Sequence, residues 1–157
     1  MSLRNIFIVF GKTQFTHVVI ACNTAHLFAS EIEELLKTKV ESLIETTCVE
    51  AIKMEGIVGI LASPQTIESK LHKQLFNRDV LTLSKAEQQE TSQVIHAVIG
   101  GDIENSSSVL RVQINKLLKK GAQKVVLGCT ELSVLNEKHN FKKVIDPLNI
   151  VVERILK

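Results

Sequence analysis

The sequence contains no tryptophan and no tyrosine, and its only aromatic side chains of the Phe/Trp/Tyr type are six phenylalanines. With apolar residues at 45% of the chain, the core must therefore be aliphatic. Charge of one sign is missing as well. The 19 basic and 17 acidic side chains leave a net charge of +2, mixed along the chain, which speaks against a nucleic-acid surface or a polybasic membrane patch. No apolar run reaches the roughly 18 residues of a membrane span, and no signal-peptide pattern opens the chain. Three cysteines are an odd number without framework spacing. Free thiols in a reducing cytoplasm are expected rather than a disulfide scaffold. At 157 residues there is room for one medium domain or two very small ones.

Two further absences concern ligands. Gly11-Lys12-Thr13 has the tail of a phosphate-binding loop, but Ile6 stands where the loop needs its first glycine, so the cradle of backbone N–H groups is lacking. Cys22 and His26 have metal-ligand spacing without a second close pair, so no metal is expected.

What the chain does have is a statement made twice. Val125-Val126-Leu127-Gly128-Cys129 is a short apolar β-forming run that ends in a small residue and a thiol, followed by Thr130 and Glu131. Val18-Val19-Ile20-Ala21-Cys22, followed by Asn23 and Thr24, matches it position by position. Packing alone does not require a cysteine and a threonine at both strand ends. A pseudo-symmetric pair of thiols facing one cleft is the expectation.

The rest of the chain alternates strand and helix. A buried strand is expected over residues 5–10 and an amphipathic helix over 24–37, with Phe28, Ile32, Leu35 and Leu36 on one side. A short strand at 40–44 leads to a helix at 45–54, where Cys48 reads as a small buried hydrophobe. Residues 57–62 form the next strand, which Ser63-Pro64-Gln65-Thr66 turns into a helix carrying Ile67, Leu71 and Leu75. A strand at 79–83 precedes Ser84-Lys85-Ala86-Glu87, which has capping-box spacing. The helix it opens, with Val94, Ile95, Val98 and Ile99 on one side, ends at Gly100-Gly101. Residues 106–108 offer serines to cap a helix stopped by Gly121. After the second cysteine come a helix over 131–137, a strand at 143–145 and a closing helix opened by Asp146-Pro147. This order predicts an α/β fold with parallel sheets. In such sheets ligands bind beyond the carboxyl ends of strands, where Cys22, Ser63 and Cys129 all fall.

Two thiols across a cleft can work as acid and base. One thiolate takes a proton from carbon on one face while the opposite thiol delivers one to the other face, which inverts a stereocentre without a metal or pyridoxal cofactor. Helix starts after each cysteine would favour thiolate. Asn23, Thr24, Thr130 and nearby backbone N–H groups could hold a carboxylate and stabilise the carbanion. His26 reads as a first-turn residue that orients a neighbour. His17, His72, His96 and His139 read as surface or satisfied histidines.

Cys22-Asn23-Thr24-Ala25-His26 and Gly128-Cys129-Thr130-Glu131-Leu132 resemble the two signature motifs of the aspartate/glutamate racemase family, and Glu131 resembles its aspartate racemase branch. Gly59 to Thr66 resembles the strand and turn that open the family's second half, with Ser63 where a threonine is usual, and Asp146-Pro147 fits its ending. The resemblance implies a cofactor-independent amino-acid racemase of two flavodoxin-like α/β lobes, one complete (residues 56–145) and one truncated (1–55 with 146–157). Cys22 and Cys129 would be the two bases. Asn23, Thr24, Ser63, Thr66, Thr130 and Glu131 would line the substrate site. Glu131 would raise the pKa of Cys129 and keep it protonated at rest. The implied ligand is a small amino acid such as aspartate, the implied location cytoplasmic, and the implied assembly a homodimer or larger homo-oligomer, since a shortened first lobe seeks cover. Two alternatives stay open: a catalytically impaired homologue serving as a binding or oligomerisation module, and a related carbanion enzyme such as a hydantoin racemase.

Overall fold

The structure, a computed structural model, describes residues 16–53, 55–72 and 80–156. The strand expected at 5–10, the glycine–lysine–threonine at 11–13, Leu75 and Asp79 lie outside the described residues. Strand β1 (Val18–Val19) runs through a 3-10 turn (Thr24–Phe28) into α1 (Ala29–Leu36) and β2 (Val40–Glu41). Then follow α2 (Leu43–Ile52), β3 (Ile57–Leu61), the short α3 (Pro64–Glu68), α4 (Lys85–Ile99) and α5 (Ile103–Lys119). The chain closes with β4 (Ala122–Leu127), α6 (Thr130–His139), β5 (Val144–Ile145) and α7 (Pro147–Ile155). Every strand pairing is parallel: β1 with β2 in one sheet, and β3–β4–β5 in a second. The fold is α/β with parallel sheets, as the alternation predicts.

The larger sheet is covered on both faces, and this explains the unbroken Val-Val-Leu run of β4. Alternate side chains of a strand point to opposite faces, so a strand buried on both reads as continuously apolar. Val125 and Leu127 join Leu110, Ile114 and Leu117 of α5, Val94 and Val98 of α4, and Leu132 and Leu135 of α6. Val126 faces the other way, into a cluster of Val58, Ile60, Ala62 and Ile145 with Ile44, Cys48 and Ala51 of α2. Cys48 is thus the small buried hydrophobe the pattern suggests, with its thiol pushed up to about 11, chiefly by burial. The first sheet, by contrast, is two strands of two residues each, only partly buried.

Local signals were right where they were specific. Ser84 Oγ accepts from the Glu87 N–H at 3.4 Å while Glu87 Oε2 accepts from the Ser84 N–H at 2.9 Å, a complete capping box for α4. Asp146 caps α7 with Pro147 in its first turn, and Gly121 follows the end of α5 with φ +105°. Elsewhere the structure differs. The strand expected at 40–44 stops at Glu41, because Ser42 Oγ accepts the Glu45 N–H at 3.2 Å and starts α2 at Leu43. The helix expected at 24–37 is divided into the 3-10 turn and α1. Of the strand expected at 79–83, the described residues 80–83 show an isolated parallel bridge of Leu81 to Gly59 before Ser84 turns the chain into α4. The cap of α5 is Asp102, not a serine at 106–108; Ser106 and Ser107 are buried within the helix, and Ser107 Oγ donates back to the Ile103 carbonyl at 2.7 Å. No described helix is long and apolar enough to cross a membrane.

Candidate active site

β3 and β4 end together, Leu61 opposite Leu127, and the Gly128 N–H continues the ladder to the Leu61 carbonyl at 2.7 Å. The approach is close. A Cβ on Gly128 would stand 2.9 Å from the Ala62 Cβ, inside any contact that real methyl groups make. This is the physical reason for the small residue before the second cysteine, and it delivers Cys129 beside Ser63 at the rim of the sheet.

Cys129 is the extended N-cap of α6, but its side chain does not cap the helix. The thiol instead donates to Glu131 Oε2 at 2.8 Å. Burial first, then the hydrogen bond to Glu131 and its negative charge, push the Cys129 thiol far above its ordinary value. The helix start was expected to favour thiolate; the Glu131 N–H does pull that way, but it is outweighed. The direction is the one Glu131 implies, with burial as the larger cause.

Cys22 comes from the thin sheet. Its N–H turns back to the Ile20 carbonyl at 2.7 Å, its side chain is exposed, and a 3-10 turn rather than an α-helix follows it. Two hydrogen bonds bring the motifs together. Thr130 Oγ1 donates to the Ala21 carbonyl at 3.2 Å. Thr24 Oγ1 and Thr66 Oγ1 share a hydrogen bond of 2.8 Å, and Thr66 Oγ1 lies 3.0 Å from Ser63 Oγ. The Cys22 thiol is near enough to add to the upward push on Cys129. Asn23 is 3% exposed, and its Oδ1 is buried with no hydrogen-bond partner among the described residues. The Thr130–Ala21 and Thr24–Thr66 hydrogen bonds thus bring the segment of Cys22, Asn23 and Thr24 against that of Ser63 and Thr66 and that of Cys129, Thr130 and Glu131. No group of three or more His, Cys, Asp or Glu side chains suited to a metal occurs among the described residues.

Two features escaped the sequence. The main-chain carbonyl of Ala21 takes the Thr130 hydroxyl, and no side-chain pattern announces such an acceptor. His72, read as a surface or satisfied histidine, is only 4% exposed, with its pKa pushed down to about 4 by burial and by the neighbouring His26. It follows α3 and lines a cavity of about 240 Å³ with Thr66, Lys70 and Thr82. His26 is buried too, its ring between the Cys22 carbonyl and the start of α2.

The family model for Asp/Glu/Hydantoin racemase matches residues 9–155, nearly the whole chain. The chain belongs to this racemase family. A glutamate racemase from Deinococcus radiodurans is 29% identical over 124 residues, which cover 75% of this chain and 42% of that protein. Among solved structures, the aspartate racemase of Picrophilus torridus superposes with a TM-score of 0.76 at 22% identity, covering 94% of this chain and 65% of that one. An aspartate racemase homologue from Pyrococcus horikoshii OT3 gives 0.74 at 20% identity, covering 98% and 71%. At these identities the superpositions carry the racemase fold. The chain spans less than half of the Deinococcus enzyme and about two thirds of the Picrophilus one.

Proposed function

We propose that this chain is an amino-acid racemase of the aspartate racemase kind, working without a cofactor through Cys22 and Cys129. The observation that supports the reading is the proximity of two thiols that follow strands of separate sheets, one exposed and one pushed toward its protonated form and hydrogen-bonded to a carboxylate. In one direction the Cys22 thiolate removes the α-proton, the electron pair of the C–H bond delocalises into the substrate carboxylate, and the Cys129 S–H protonates the opposite face. In the other direction Cys129 must first lose its proton, and Glu131 is the base in contact to receive it. The hydroxyls of Thr24, Ser63, Thr66 and Thr130 supply donors for the substrate carboxylate, where charge grows as the carbanion forms. Asn23, adjoining Cys22, completes the proposed set of substrate-binding residues.

Aspartate is the proposed substrate, on the strength of Glu131 beside the second thiol; glutamate is the second candidate, from the Deinococcus relative. A cytoplasmic homo-oligomer is part of the proposal. Val49 and Ile52 on α2, with Val152 on α7 and Leu156 just past its end, leave apolar surface exposed on and beside two helices that pack together. The deciding experiment is loss of the α-proton NMR signal of L- and D-aspartate in D2O. Exchange that needs both cysteines supports the two-base reading; no exchange of aspartate or glutamate by folded protein overturns it.

A further inference from the structure

We infer that His26 is a positioning residue for Cys22: its ring bridges the Cys22 carbonyl and the first backbone N–H of α2, and so fixes where the Cys22 thiol stands. The inference rests on the reading of Cys22 as a base. His26 Nδ1 lies 2.8 Å from the Cys22 carbonyl oxygen, and His26 Nε2 lies 3.1 Å from the Leu43 nitrogen. A backbone N–H can only donate and a carbonyl can only accept. Nε2 must therefore offer its lone pair to Leu43, and Nδ1 must carry the proton that goes to Cys22.

The other states of the ring fail. The opposite tautomer sets N–H against N–H and lone pair against lone pair, losing both bonds. The charged ring keeps the Cys22 bond but turns a second N–H toward that of Leu43. The ring is 8% exposed, so water cannot replace what is lost.

The need for such a clamp follows from the scaffold. Cys129 is held by a six-residue strand and a ten-residue helix. Cys22 follows a strand of two residues and precedes a 3-10 turn that Asn23 does not cap, and Phe28 does not cap the helix α1 that comes next. His26 joins this weak segment to α2, whose buried face is part of the core of the larger sheet. The 3-10 geometry makes it possible, turning the chain so that the fourth residue after Cys22 reaches back to its carbonyl.

The ring is faced by Glu45 of α2, His72 after α3, and the Cys22 and Asn23 backbone. Glu33, Lys39, Ser42 and Leu71 line with it a cavity of about 370 Å³. Burial holds the His26 pKa down against the raising effects of Cys22, Asn23 and Glu45. The clamp is therefore closed at neutral pH and opens in acid.

Long-range proton–nitrogen NMR of histidine-labelled protein at pH 7.5 reads the tautomer directly. A neutral ring with its proton on Nδ1 is expected; a charged ring or an Nε2–H tautomer at His26 overturns the clamp. For function, His26→Asn keeps an N–H at the Nδ1 position for the Cys22 carbonyl, but its amide is too short to place an acceptor where Nε2 meets Leu43. In folded variant, kcat should fall roughly 10- to 100-fold, as a displaced catalytic group would cause, with KM changed by less than about twofold. The rate of Cys22 carboxymethylation, followed by peptide mass mapping, should change by at least about threefold while that of Cys129 does not. Unchanged kcat together with an unchanged Cys22 rate overturns the inference. If His26→Asn does not fold, the tautomer in the unaltered protein decides. If the unaltered protein shows no exchange with aspartate or glutamate, the racemase reading falls, while the tautomer and the Cys22 rate still decide the clamp.

Discussion

The two cysteines stand in nearly the same sequence and in different physical surroundings. Cys129 lies two residues past a six-residue central strand, is half-buried, and donates to a carboxylate. Cys22 lies three residues past a two-residue strand, is exposed, and is followed by a 3-10 turn. A repeated motif thus sets each thiol just beyond a strand; the depth of the surrounding sheet and one added carboxylate set how it behaves. For a racemase the asymmetry has a limit. The equilibrium constant between enantiomers is one, so kcat/KM must be equal in the two directions, however unlike the bases are. Only kcat and KM taken separately can differ.

The most severe test of the comparison removes each thiol in turn. Cys22→Ala and Cys129→Ala should each lower racemisation by roughly 10²–10⁴-fold, the range for loss of a general acid or base. In D2O the single variants should part company: each retains exchange only with the enantiomer whose proton its remaining thiol faces. Exchange of both enantiomers by either variant would mean that one thiol serves both faces, and the two-base comparison would be lost.

Next in size is an effect on the pair of histidines beside the Cys22 segment. His26 belongs to the Cys22 motif and His72 follows α3, and each is buried close to the other. A histidine whose pKa falls on folding binds its proton better in the unfolded chain, so acid favours unfolding. The stability contributed by neutral His72 is intact above its unfolded value of 6.5 and is lost as the pH falls toward about 4. At about 1.4 kcal/mol per pH unit this amounts to about 3 kcal/mol, and His26 adds to it in the same direction. Glu87, lowered to about 2, loses its contribution only as the pH falls from about 4.5, at the foot of this window. Urea midpoints should hold nearly level from pH 7.5 to about 6.5 and fall from there to pH 4.5, and His72→Gln should flatten that fall. A flat profile in the unaltered protein would refute the buried neutral pair.

Much of this architecture was legible beforehand, for reasons that can be named. The Val125-Val126-Leu127 run announced a strand buried on both faces because both its faces are apolar, and Ser84 with Glu87 announced a helix start because that box is a local geometry. The repeat of strand, small residue and cysteine made the meeting of the two motifs legible as well. Other features depend on partners far along the chain. Val40 to Ile44 has β-forming composition, but Ser42 can cap, and the tertiary packing of Ile44 and Cys48 decided for helix. Ser106 to Ser108 look like caps, yet Asp102 lies where the chain actually enters α5. The burial of His72 leaves no periodic trace. Nor does the sequence reveal that burial, before Glu131, is what raises Cys129.

Glu131 offers a sharper and smaller test of that last point. Glu131→Gln keeps the shape while removing the charge, so the Cys129 thiol should move down and alkylate about tenfold faster at pH 8. Because burial is the larger cause, the thiol should still sit above its ordinary value. Racemisation should slow, and by the same factor for kcat/KM in both directions. A Cys129 rate unchanged by the substitution would mean that the carboxylate contributes nothing, leaving only depth in the sheet to distinguish the two thiols.

The smallest effect expected concerns the hydroxyls that join the Cys22 segment to the larger sheet. Thr24→Val deletes one partner of the 2.8 Å bond to Thr66 while keeping the side-chain shape. One neutral hydrogen bond contributes about 1 kcal/mol net, so stability should fall by about that amount. Thr66 would keep Ser63, 3.0 Å away, and would not be left unsatisfied. If the Thr24 hydroxyl also meets the substrate carboxylate equally in ground and transition states, KM should rise roughly fivefold with kcat nearly unchanged. Thr66→Val and the double variant complete a cycle, and the two hydroxyls should show a coupling of about 0.5–1 kcal/mol in stability. Full additivity would mean that the Thr24–Thr66 contact does not hold the Cys22 motif to the larger sheet. That burden would then pass to the Thr130 bond with the Ala21 carbonyl and to His26.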